Sequence, residues 1–124
     1  MTAQGHPRSV FQRAIEHGNL GVAEATLREL GRPTLVELLE LTALIAQRDP
    51  RRHGRVAARW LQRLLEQHPD LTVDDAVLVG STLQALGGRH HAYAMATLRA
   101  IADEAATRSQ SGRLRAPAAR RGRG

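Results

Sequence analysis

Arginine is the residue type through which this chain can do chemistry. Arg51, Arg55, Arg59 and Arg63 recur every four residues, and Arg48 and Arg52 lie near the start of the row. On a helix that spacing stacks guanidinium groups about 6 Å apart on one side. Such a ladder suits a phosphate backbone or an acidic protein surface. Arg113, Arg115, Arg120, Arg121 and Arg123 form a second cationic cluster, and no acid follows position 104. The plainer reading of the row is a solvated face opposite a core face, because Arg is a good helix former. On that reading Glu37, Glu40, Glu66 or Asp49 neutralises part of it. All eighteen basic residues are Arg. So uniform a usage points to compositional bias and weakens the case that any one site requires a guanidinium.

Other reactive side chains lack the partners their chemistry needs. His90 and His91 are adjacent, so on a helix they point about 100° apart and cannot easily hold one ion. His53 occupies the matching place earlier in the chain, but there is no H-x3-H pair and no Cys to complete a zinc set. Asp74-Asp75 and Asp103-Glu104 read as helix-start charges and surface acids. Ser81 has no base at an interpretable spacing and no G-x-S-x-G around it. Gly87-Gly88 follows a helical pattern, not a strand, so it is no phosphate cradle. The expectation is a protein without catalytic activity, cofactor or metal.

The elements that must position these residues are helical. Ser9 with Gln12 has the form of a capping box before a helix over 10–17, which Gly18 stops. Asn19 caps a helix over 20–30, ended by Gly31. Thr34 with Glu37 makes a second box before a helix over 35–48. That helix is apolar nearly all round (Leu35, Val36, Leu38, Leu39, Leu41, Leu44, Ile45), so it must be covered on more than one side. The Arg row lies on a helix over 50–67, with Val56, Ala57, Trp60, Leu61, Leu64 and Leu65 opposite it. Thr72 with Asp75 caps a helix over 73–86, Gly87-Gly88 breaks it, and a last helix covers 90–106.

Three of these helices share a pattern: VAEATLREL at 22–30, VAARWLQRL at 56–64 and YAMATLRAI at 93–101. Leu27, Leu61 and Leu98 align, as do Ala23, Ala57 and Ala94, with steps of 34 and 37 residues. A step of that size is one helical hairpin, which buries its apolar face only against a neighbour. The pattern resembles tandem tetratricopeptide or HEAT-type hairpins over about 9–106. Ala57, Leu61 and Pro69 have the spacing of a second helix and closing proline of a tetratricopeptide unit. Ile45 and Thr82 stand where that family carries Gly, so the likeness is one of architecture. By this alignment Trp60 and Tyr93 fall in repeat positions and are expected in the core. His68-Pro69-Asp70 matches the tripeptide of J-domain co-chaperones, yet Thr72 already caps the next helix, and a helix-ending proline accounts for the residues. The Arg-Gly ending of the chain looks like RGG-type RNA-binding segments, without an aromatic for base stacking.

Composition bounds the rest. At 124 residues, with no Cys, the chain has length for one domain and no disulfide frame. Residues 1–106 balance twelve Arg against twelve acids, so the whole net charge of +6 belongs to the tail. No apolar run approaches the ~20 residues of a membrane span, and the start lacks a signal-peptide stretch, so a cytoplasmic location is expected. The expected fold is all-α: six helices in three stacked antiparallel hairpins (9–30, 34–67, 72–106), a short solenoid-like bundle. A flexible lead-in (1–8) precedes it and a disordered Arg-rich tail (107–124) follows. The expected function is a protein-interaction module that binds another protein or a second copy of itself. The alternative is nucleic-acid binding through the row at Arg51, Arg52, Arg55, Arg59 and Arg63 together with the tail.

Overall fold

The computed structural model describes the backbone from residue 6 to 123 and the side chains from 6 to 108. Among the described residues there are six α-helices and no strand. They are α1 (Pro7–Glu16), α2 (Leu20–Leu30), α3 (Leu35–Arg48), α4 (His53–Gln67), α5 (Val73–Gln84) and α6 (His91–Arg123). A 3-10 turn at Pro50–Arg52 leads into α4, and another at Ala85–Gly87 leaves α5. The backbone of α6 extends past the end expected near 106. The side chains of 109–124, the five tail arginines among them, lie outside the described residues.

Local signals set most of the helix ends. Thr34 and Glu37 form a reciprocal box, with Thr34 Oγ1 accepting from the Glu37 N–H at 3.1 Å and the Thr34 N–H donating to Glu37 Oε1 at 2.9 Å. Thr72 and Asp75 repeat it at 3.1 and 3.2 Å. Asn19 Oδ1 accepts from the Val22 N–H at 3.2 Å. Gly18 (φ 68°) and Gly31 (φ 78°) turn the chain through the left-handed region that L side chains avoid. The expected box at Ser9 does not form. Pro7 starts α1 two residues earlier, its fixed φ suiting the first helical position. The cap is His6, whose Nδ1 accepts from the Arg8 N–H at 3.2 Å. Gln12 is committed elsewhere, donating to Glu40 at 2.7 Å.

Packing centres on α3. Successive helices pack on one another, α1 on α2, α3 on α4, α4 on α5 and α5 on α6. The last hairpin does not simply stack on the one before it. α6 returns to α3, so α3, α4, α5 and α6 close a four-helix ring, and α1–α2 lies on the far side of α3. Two apolar clusters result. The larger gathers Leu39, Trp60, Leu64, Leu83 and Leu98 with the small residues Ala94, Ala102 and Ala105, which bring α6 close. The smaller holds Phe11, Ala14, Ala23 and Leu27 against the other side of α3.

This arrangement corrects the equivalence of the three patterned helices. Leu27 belongs to the small cluster and Leu98 to the large one, while Leu61 is half-buried at the edge. Trp60 is in the core as expected, with its Nε1–H donating to the Leu35 carbonyl at 2.8 Å. Tyr93 is not, being 76% exposed. The core face of α6 is the row Ala94, Leu98, Ala102 and Ala105, and Tyr93 points away from it. Any amphipathic helix rich in Ala and Leu carries the same three-and-four spacing, whatever it packs on. Leu98→Ala should therefore cost about 2–5 kcal/mol, while Tyr93→Ala should stay within roughly 0.5 kcal/mol. Urea unfolding followed by circular dichroism reads both, and equal costs would restore the repeat.

Candidate functional site

α4 carries Arg59 and Arg63 on the side turned toward α2, and Arg52 stands just before its first turn on the same side. Both helices lie against α3, and the space between them is a groove of about 330 Å³. Its floor is apolar: Leu38, Leu41 and Ile45 from α3, with Val56 and the edge of Trp60 from α4. Thr42 also reaches the floor, but its hydroxyl donates to the Leu38 carbonyl at 2.7 Å and is not free. The groove continues past Glu24 and Leu41 into a second hollow of about 360 Å³, where Arg28 and Pro33 stand on the wall.

The rim is cationic. Arg52, Arg59 and Arg63 stand on the α4 side, seven and four residues apart, and Arg28 on the α2 side. Two of these guanidinium groups cross the groove. Arg52 forms a two-point ion pair with Glu24 of α2, with its Nη1 donating to Glu24 Oε1 at 3.3 Å. Arg63 donates to the Pro33 carbonyl at 3.0 Å and straps the α2–α3 turn to α4. Arg59 lies between the straps, about 10 Å along the axis from the level of Arg52 and 6 Å from that of Arg63. It is exposed and makes no ion pair among the described residues.

The sequence row at 51, 55, 59 and 63 is thus divided. Arg51 has a 95% exposed side chain with only a loose contact to Asp49 at 4.0 Å. Arg55 is exposed without an ion pair among the described residues, and neither residue lines the groove. Arg52 and Arg63 are tied down as described. Arg113, Arg115, Arg120, Arg121 and Arg123 lie outside the described side chains. Glu37 and Glu40 do not neutralise the row. They face α1 and α6, with Glu37 bound to Arg8 at 3.1 Å and Glu40 to Gln12 at 2.7 Å and Arg99 at 3.1 Å. Asp49 contributes weakly, 3.8 Å from Arg52. The residue that neutralises part of the row is Glu24, 28 positions away from Arg52 in the chain. Nothing in local spacing marks that pairing, and the apolar floor was hidden by treating α3 as wholly core. His91 is engaged by the backbone, with Nδ1 2.7 Å from the Leu86 carbonyl. No cluster among the described residues has the makeup of a metal site.

No protein-family model matches the sequence, and no curated protein or solved structure is significantly similar to it. No helix among the described residues is long and apolar enough to cross a membrane.

The strap across the groove has an electrostatic consequence. The hydrogen bond from Arg52 holds the Glu24 carboxyl below the ordinary glutamate value of 4.5, against a smaller upward push from burial. A carboxyl lowered on folding stabilises the fold above its unfolded value, and that contribution is lost as pH falls through the folded value. Arg52→Gln should let Glu24 titrate higher, back toward 4.5, and should flatten the acid side of the stability curve. An NMR titration of the Glu24 side-chain carboxyl checks it, and an unmoved midpoint would remove the strap.

Proposed function

We propose that this chain is a helical protein-interaction module, and that its α2–α4 groove takes a short amphipathic segment with acidic flanks. The observation that carries this reading is an apolar floor bordered by guanidinium groups. Apolar side chains of a ligand fill the floor, and its carboxylates meet Arg28, Arg52 and Arg59. Glu24 is the resident stand-in for such a carboxylate, because it occupies Arg52 when no ligand does. Binding then exchanges one carboxylate for another at Arg52 and adds new pairs at Arg59 and Arg28.

A second reading rests on a separate observation. Arg51, Arg55 and Arg59 are exposed at four-residue spacing, which suits a phosphate chain running along α4. A phosphate backbone, however, gives the apolar floor nothing to bury. Affinity of that origin would fall steeply, by powers of ten, between about 50 and 200 mM salt.

The test is an anisotropy titration of a labelled amphipathic helix bearing Glu flanks, beside the same helix with Lys flanks and a DNA duplex. The Glu-flanked helix should bind and the Lys-flanked one should not. Arg59→Glu should weaken binding roughly tenfold or more, as expected for a reversed rim charge. Glu24→Gln should tighten it, because Arg52 no longer starts out engaged. A full-length protein with Gln at the five tail arginines separates the fold's contribution from the tail's. Equal binding of both helices sinks the groove reading. Duplex binding alone, with a steep salt slope, replaces it with the phosphate reading.

A further inference from the structure

Four arginines and one acid line the two hollows of the α2–α4 groove: Arg28, Arg52, Arg59 and Arg63 against Glu24. Glu24 is engaged by Arg52. Arg63 is half-buried, and its hydrogen bond goes to a neutral acceptor, the Pro33 carbonyl. That bond holds the guanidinium in place and leaves its charge unanswered. A charge drawn partly out of water without a counter-charge is costly. Its other N–H groups make no hydrogen bond among the described residues. Arg59 stands one turn before it on the same wall, about 6 Å away along the helix. Neither residue has an ion pair among the described residues.

Two unanswered monocations one turn apart match a single dianion. A glutamate carboxylate carries one charge and two oxygens, so it answers one guanidinium and leaves the other. A phosphoryl group on a hydroxyl side chain carries nearly two charges and three acceptor oxygens. That is enough for a fork from each arginine. Arg63 is already held by Pro33, so less side-chain freedom is lost when the anion arrives. Both arginines also border the apolar floor, where Arg51 and Arg55 do not. A phosphoryl group between them therefore belongs to a ligand that covers the floor as well.

We infer that the α2–α4 groove recognises a phosphorylated segment, with its phosphoryl group held between Arg59 and Arg63 and its carboxylates at Arg28 and Arg52. The inference rests on the groove reading given above and narrows the partner from an acidic segment to a phosphorylated one. A Glu-flanked helix is then the weaker mimic of the ligand.

Anisotropy titrations on the full chain with Gln at the five tail arginines test it, since the tail charge then takes no part. Labelled peptides share one amphipathic core and carry phosphoserine, Glu or Ser at the flanks. The phosphoserine peptide should bind roughly tenfold or more tighter than the Glu peptide. Arg63→Gln should bring the two level. Arg59→Gln, at an exposed position, should narrow the gap with helicity unchanged. No histidine lines either hollow, so what titrates near pH 6 is the second proton of the phosphoryl group. The preference should accordingly shrink between about pH 7.5 and pH 5. Equal affinity for the phosphoserine and Glu peptides overturns the inference and leaves the groove reading standing. So does a preference that survives both substitutions in folded protein, or one that ignores pH. Inorganic phosphate that displaces the phosphoserine peptide at an equal concentration reduces the site to a simple anion site and overturns it too. Failure of every peptide to bind removes the groove reading itself, and this inference with it.

Discussion

A helix that is apolar on almost every side stays out of water only if neighbours stand on almost every side. α3 is such a helix, and the positions of α1, α2, α4 and α6 are answers to it. Eight of its fourteen residues are buried, and two of those are acids. Glu37 and Glu40 are each about 9% exposed, where an unpartnered carboxylate would be costly. Arg8 and Gln12 reach them from α1, and Arg99 reaches Glu40 from α6. Polar contacts thus fix the register of the two helices that flank α3 at its acidic side. Glu37 also closes the capping box that starts α3, so one carboxylate ties the helix end to the tertiary structure.

The central position of α3 also explains why α4 presents three different sides. One side meets α3 through Trp60 and Leu64. A second turns toward α2, which α3 holds at a distance, and the gap becomes the arginine-rimmed groove. The third meets α5, with Ala57 and Leu61 along the seam. A groove needs two walls that do not touch, and a buried third helix as spacer supplies that geometry. The straps from Arg52 and Arg63 then define the length of groove between them, leaving Arg59 without an ion pair among the described residues.

What the sequence made legible was local. The ends of α2 and α3, the boxes at Thr34 and Thr72, and the turns at Gly18 and Gly31 follow from residues within four positions of each other. The burial of Trp60 was legible because α4 is strongly one-sided. Long-range choices left no such mark. Glu24 and Arg52 are 28 residues apart, and Glu40 and Arg99 are 59 apart. The likeness of the three patterned helices misled about Tyr93, because the spacing records that a helix has an apolar face, not which neighbour covers it. Ser9 failed as a cap for a related reason. A proline two residues earlier set the helix start, and the side chain of Gln12 had a tertiary partner. The groove was half legible: Arg59 and Arg63 stood in the visible row and Arg52 beside it, but Arg28 did not, and the floor beneath them was assigned to the interior although Leu41 is only half-buried.

The chain contains a single tryptophan. Its indole donates to the Leu35 carbonyl, and the residue also lines the floor of the arginine-rimmed groove. At 2% exposure it emits from a dry environment, with no second indole to obscure it. The molecule therefore carries its own optical gauge of the fold, set beside the groove, with no label attached.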